Sequence, residues 1–157
     1  MNTNYAGFWL RFVALIIDGI IIGVVQSFLI LPILATAGFS FASVIQSGEM
    51  SEAEAIGMIA TLMATMGTTI LISYTIGILY FTFMESSKFQ ATVGKLALGL
   101  IVTDLNGGKL DFTKAFVRNL GKIISSMILY IGYIMAGFTD KKQALHDMIA
   151  GTLVLKK

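Results

Sequence analysis

The chain has 157 residues, room for one domain or one small membrane unit. Hydrophobic residues make up 56% and charged ones 13%, against about 25% charged in an ordinary soluble domain. So few charges cannot cover a water-facing surface, which argues against a soluble globular enzyme. High hydrophobicity and a single Pro exclude disorder and collagen-like chains. The absence of Cys removes disulfides and thiol chemistry, and a formal net charge of +2 gives no nucleic-acid footprint.

The first long apolar run is Phe12 to Leu31, with Asp18 its only ionisable group. It exceeds the roughly 18 apolar residues that mark a transmembrane helix, and a helix is expected over about 8–34. A cleaved signal peptide is not expected, despite Ala35-Thr36-Ala37: the run is too long, contains Asp18, and has only Arg11 ahead of it. A connection follows at 36–50. Ser51-Glu52-Ala53-Glu54 spells a capping box, so a second helix should occupy about 52–84. From Ala55 to Met84 it carries no charge over 30 positions, about 45 Å of helix.

A segment at 85–112 comes next. Asn106-Gly107 lies between extended runs 101–104 and 109–112, the spelling of a β-hairpin. A two-stranded hairpin is marginal alone, and the strand-like Thr152-Leu153-Val154-Leu155 could join it. Between them, Lys114, Arg118 and Lys122 recur every four residues beside Ala115, Phe116, Leu120 and Ile123, as in a basic amphipathic helix at a membrane surface. Ile123 to Phe138 is uncharged, but its 16 residues reach only about 24 Å, short of the roughly 30 Å hydrocarbon core. The 113–138 segment therefore reads as an oblique helix or as a surface helix with a shallow insertion. The fold class is an all-α membrane protein with two transmembrane helices, a third short segment and a small hairpin. Three full spans are the alternative.

Lys/Arg placement sets the orientation. The 36–54 connection has three Glu (49, 52, 54) and no Lys or Arg, whereas 85–122 carries six basic residues. The N-terminus and 85–122 should be cytoplasmic. Lys141, Lys142, Lys156 and Lys157 draw the tail to the same side.

Gly7-Phe8-Trp9-Leu10-Arg11 leading to Asp18, Thr92-Val93-Gly94-Lys95, Gly107-Gly108, Arg118-Asn119, and Gln143-Ala144-Leu145-His146-Asp147 before Gly151-Thr152 follow one another along the chain. In order and spacing they resemble the RDD family of membrane proteins. The Arg and two Asp that name that family correspond by position to Arg11, Asp18 and Asp147. The resemblance implies an integral membrane protein of bacterial type, in the cell (inner) membrane, with transport as the suggested activity and no common ligand.

Seven residues separate Arg11 from Asp18, about 10 Å and two turns, so both project from one helical face. An acid at a helix centre costs roughly 2.5–3.5 kcal/mol on insertion scales. Asp18 is thus either an ion or proton site or a polar group that locks helices together. Arg11, Asp18 and Asp147 are expected as one charge cluster, supported by Gly94, Lys95, Arg118 and His146. A single His cannot build a recognisable zinc site, and hydrogen bonding or ion pairing is the expected role of His146. No metal or cofactor is expected. Gly94-Lys95 is no phosphate-binding loop, because position 89 is Phe and Leu96 replaces Ser/Thr. The nine Met read as gap fillers.

Gly57, Thr61, Thr65, Thr69, Ser73 and Gly77 form a ridge of small residues on the second helix, and Gly19 and Gly23 a GxxxG on the first. Close helix packing is the plain reading of both, and a hydroxyl-lined path the other. No catalytic constellation is present, so the chain is not expected to be an enzyme. The expected function is an oligomeric transport or permeation module for a small solute or a cation such as H⁺ or Na⁺. The alternative is a non-transporting interaction or scaffold subunit. Partners are the lipid bilayer and either further copies or another membrane protein.

Overall fold

The computed structural model describes residues 4–46, 48, 50–128 and 131–157. Two long helices, α1 (Phe8–Gln46) and α2 (Glu52–Ser86), are long and apolar enough to cross a membrane. At 1.5 Å per residue, their 39 and 35 residues reach about 58 and 52 Å, beyond a hydrocarbon core of roughly 30 Å. Such helices tilt or project from the bilayer. After them come α3 (Val93–Ala97), β1 (Leu100–Asp104), α4 (Phe112–Met127), α5 (Ile131–Ile134) with a following 3₁₀ turn, α6 (Leu145–Ala150) and β2 (Thr152–Lys156).

Helix α1 runs past the expected end near 34, so most of the connection expected at 36–50 is helical. Residues 47 and 49 of that connection, including Glu49, lie outside the described residues. The extension needs no charged face, because its hydroxyls close onto the helix itself. Thr36 donates to the Ile33 carbonyl at 2.8 Å, Ser40 to Thr36 at 3.0 Å and Ser43 to Ser40 at 2.9 Å. In hydrocarbon such internal satisfaction is what keeps polar groups affordable. Pro32 sits within α1, where it removes one backbone donor. Helix α2 starts as its sequence spells: Ser51 N–H donates to Glu54 at 2.8 Å and Glu54 N–H to the Ser51 hydroxyl at 3.3 Å, closing the capping box.

The chain divides into two compact units. One is Ile21–Ile76, the central parts of α1 and α2. Within it the Gln26 amide donates to the Ser73 carbonyl at 3.1 Å. Thr61, Thr65, Thr69 and Ser73 are half-buried, whereas Gly57 is exposed. Thr61 turns its hydroxyl back onto the Gly57 carbonyl at 2.8 Å. A Cβ added at Gly23 would meet nothing within 4 Å.

The other unit is residues 1–20 with Gly77–Lys157. Its small sheet pairs β1 with β2 antiparallel, from Leu100 opposite Lys156 to Asp104 opposite Thr152. The tail strand therefore joins as expected, but 109–112 forms no second hairpin arm. The Asn-Gly turn is present, with Asp104 accepting from Asn106 and Gly108 N–H, both at 2.8 Å, and Gly107 at φ 83°. The chain then leaves the strand because Asp111 accepts from Lys114 N–H at 2.6 Å and caps α4. Ala6 N–H donates to Val154 O at 2.9 Å and Lys156 N–H to Asn4 O at 2.8 Å. The tail thus lies beside the N-terminus, and a third complete crossing would separate them.

The 113–138 segment is not one helix. Helix α4 ends at Met127 and α5 begins at Ile131 with its axis bent by 117°. A Cβ added at Gly132 would lie 2.8 Å from the Ser125 side chain, so the two pieces meet where only Gly fits. The apolar centre of the unit is Ala6, Ala14, Leu100, Val102, Leu110, Ala115 and Val154, with Leu10 and Leu98 against it.

Candidate functional site

Asp147 is the hub. It occupies the third position of α6 and accepts from Ala144 N–H at 3.1 Å, half of a capping box built by its own helix. Gly151, left-handed at φ 61°, ends that helix and turns the chain into β2. The fully buried Asp147 carboxylate is held from α1 by the Arg11 Nη1 and from α4 by Arg118, whose Nε donates at 2.8 Å. Thr152 adds a hydroxyl at 3.4 Å. Burial alone would raise this carboxyl, but Arg118 and Arg11 together reverse that and hold it well below the usual carboxylate range. Arg11 completes its fork with the Ala6 carbonyl at 2.9 Å and the Lys142 carbonyl at 2.6 Å.

Arg118 bridges Asp147 to a second buried acid, Glu85, at the end of α2. Its Nη1 stands 2.6 Å from Glu85 Oε2, a close ion pair without hydrogen-bond alignment. Lys95 of α3 donates to Glu85 Oε1, and Asn119 to Oε2 at 3.2 Å. Burial pushes the Lys95 ammonium down, opposed by Glu85. Lys122 lies farther off, its Nζ 3.7 Å from Glu85 Oε1 and 3.7 Å from the centre of the Phe81 ring. Arg11, Asp147, Arg118, Glu85, Lys95 and Lys122 thus form one continuous network across α1, α2, α3, α4 and α6.

Asp18 has different partners. It is 1% exposed and accepts from Tyr80 Oη at 2.9 Å, Thr92 Oγ1 at 2.5 Å and Gly94 N–H at 2.8 Å. None of these bonds is to Arg11, so the shared helical face does not make them a pair. Gly94 explains the approach: a Cβ there would stand 2.2 Å from the Ala14 carbonyl oxygen and 3.0 Å from Asp18 Cγ. Only Gly lets the Gly94 backbone press against α1 and aim its N–H at the acid.

His146 hydrogen-bonds through Nδ1 with the Ser125 hydroxyl at 3.3 Å and packs on the Tyr133 ring at 4.9 Å. Burial pushes it down to about 3, so it is neutral at physiological pH. Gly121 keeps α4 close to it, since a Cβ there would meet His146 Cβ at 3.2 Å. No group of three or more potential metal ligands occurs among the described residues.

Of the expected cluster, Arg11 and Asp147 come together, Asp18 forms a separate clasp, and Gly94, Lys95, Arg118 and His146 attach to one or the other. Glu85, Lys122, Tyr80 and Thr92 are additions. Glu85 had one signal, as the first charge after the uncharged run of α2. The basic stripe on α4 is split: Lys114 is exposed, but Arg118 is 1% exposed and turned inward. Two buried carboxylates require cations more than a membrane surface does.

A cavity of about 250 Å³ opens beside this network, lined by Arg11, Asp18, Lys95, Arg118 and Lys122 and by Phe8, Phe12, Leu15, Phe81 and Ile134 among others. The sequence profile of the RDD family matches residues 5–151, a range that holds Arg11, Asp18, Gly94-Lys95, Arg118 and His146-Asp147. The chain belongs to the RDD family. It is 40% identical over 152 residues to YxaI of Bacillus subtilis (strain 168), covering 97% of each chain. It is 30% identical over 157 residues to YteJ of the same organism, described as a membrane protein, covering 99% of this chain and 83% of YteJ. No solved structure matches. This RDD protein has two helices long and apolar enough to span a membrane.

Proposed function

We propose that this RDD protein is a non-transporting, membrane-embedded interaction subunit, with two spans and a buried ion-paired network. The observation that carries the reading is the state of Asp18. A transported proton or cation needs an acid that water can reach and that has spare acceptor capacity. Asp18 is 1% exposed and already takes three donors. Its role in this reading is to fasten α3 and the end of α2 to α1, with the insertion cost offset by those bonds. The basic groups lining the cavity also disfavour a cation there.

In the cell membrane, the basic residues of 85–122 and of the tail favour a cytoplasmic side for those segments. Association with another helix, from a second copy or a different membrane protein, is supported by the open space at Gly19 and Gly23 on α1. The test is flux. Purified protein in liposomes, loaded with pH- and cation-sensitive dyes, should leave the vesicles as tight to H⁺, Na⁺ and K⁺ as protein-free controls. A gradient-driven flux abolished by Asp18→Asn in a folded protein would overturn the reading and restore transport.

A further inference from the structure

The cavity wall is chemically two-sided. On one side are basic groups with donors to spare, beside Asp18, whose carboxylate is already taken by Tyr80, Thr92 and Gly94. The Lys122 ammonium makes no hydrogen bond among the described residues: its Nζ has only the 3.7 Å approaches to Glu85 and to the Phe81 ring. Lys95 gives one hydrogen bond, to Glu85, and its Nζ also reaches the Phe81 ring, at 5.7 Å. Four basic side chains, Arg11, Lys95, Arg118 and Lys122, share two carboxylates, Glu85 and Asp147. An ammonium held in a largely buried position without a full set of acceptors is costly. An anion in the cavity would supply what is lacking.

On the other side the wall is apolar and open. Phe12, Leu15 and Ile134 line the cavity and are nevertheless 44%, 38% and 42% exposed, so they form its mouth. Phe12 and Leu15 belong to the first turns of a membrane-spanning helix, where the surroundings are lipid near the interface. A small soluble anion would satisfy the lysines and leave this apolar rim uncovered. A cavity of about 250 Å³ holds a headgroup and leaves acyl chains to run out over the rim.

We propose that this cavity is a binding site for an anionic phospholipid, with the headgroup phosphate against Lys122 and Lys95 and the acyl chains leaving past Phe12, Leu15 and Ile134. Asp18 also lines this cavity, but lipid selectivity is read from Trp9 quenching and ion flux from vesicle dyes, so the two readings fail or succeed independently.

Trp9 is the only Trp, lies beside Phe8 and Phe12 with ring centroids 5.3 and 6.2 Å away, and is exposed. It reports on the mouth. Protein reconstituted in phosphatidylcholine nanodiscs is titrated with brominated phosphatidylglycerol or, in parallel, with added brominated phosphatidylcholine, and Trp9 quenching is compared at equal mole fraction. Phosphatidylglycerol should associate with the Trp9 site about five-fold more strongly, the gain expected of one basic contact. Lys122→Gln should abolish the preference and Lys122→Arg retain it, both in protein with unchanged circular dichroism. Equal quenching by the two lipids in the wild-type protein would overturn the proposal without recourse to any variant. A preference that survives in Lys122→Gln would overturn the placement. With 10 mM inorganic phosphate present the preference should persist; its loss would make soluble phosphate the occupant and overturn the lipid assignment.

Discussion

Arg11 and Asp147, 136 positions apart, form an ion pair that ties the first turn of α1 to α6. The carboxylate is fully buried and has Arg118 as its second cation. Removing the acid leaves two guanidiniums facing an amide. Breaking a well-buried pair costs about 3–5 kcal/mol, so Asp147→Asn should destabilise the folded protein by that order in thermal unfolding followed by circular dichroism in micelles. Arg11→Gln should cost less, because Arg118 remains. In the double variant the losses should fall short of their sum. Strict additivity would mean the pair is not coupled.

Gly94→Ala should be far more damaging than its size suggests. The added methyl would meet the Ala14 carbonyl oxygen at 2.2 Å, so α3 must retreat and give up the Gly94 bond to Asp18. Overpacking of this kind costs about 1–3 kcal/mol. Gly19→Ala and Gly23→Ala, with open space around each Cβ, should leave unfolding unchanged or slightly improved. Equal tolerance at all three positions would contradict the close approach at α3.

The two spans were legible because 30 uncharged residues and a capping box are strong local signals. The tail strand was legible from its β-branched and aliphatic spelling. The pairing of the charges was not. Helical spacing puts Arg11 and Asp18 on one face, but it cannot register that Tyr80, Thr92 and Gly94 arrive first at the acid. Nor can spacing tell a lysine turned to lipid from one turned to Glu85, since the stripe on α4 reads the same either way. The expected hairpin failed for a local reason: Asp111 could end a strand turn or cap a helix, and the cap won. The length of α1 was underestimated because Ser and Thr look like loop residues until their hydroxyls close onto the preceding turn.

The hydrogen bonds of Ala6 with Val154 and Lys156 with Asn4 put tail and N-terminus on one side. The chain has no native Cys, so single probes test this directly. With the N-terminus inside, Glu52→Cys, just before the apolar run of α2, should react with a membrane-impermeant maleimide on intact cells. Lys156→Cys should react only after permeabilisation. Labelling of both from outside would require a third crossing and would be incompatible with β2 pairing beside the N-terminus.

His146 should set the acid side of the stability profile. Its folded pKa is pushed down to about 3, by burial first, from an ordinary value of 6.5. The sign follows from proton counting: between those values the unfolded chain binds a proton that the folded chain does not. Stability is therefore fully present above pH 6.5 and falls as pH drops through the window towards 3. Well inside the window the loss approaches about 1.4 kcal/mol per pH unit. Asp147, held below its ordinary 3.8 by the arginines, begins to lose its contribution only below that value. From pH 6 to 5 the slope should thus belong largely to the single His of the chain. Denaturant unfolding in micelles at pH 7, 6 and 5 should show it. In His146→Gln the absolute stability should drop, since the Ser125 bond and the Tyr133 contact change, but the slope over this interval should flatten. A variant that keeps the wild-type slope would move the proton uptake to another group.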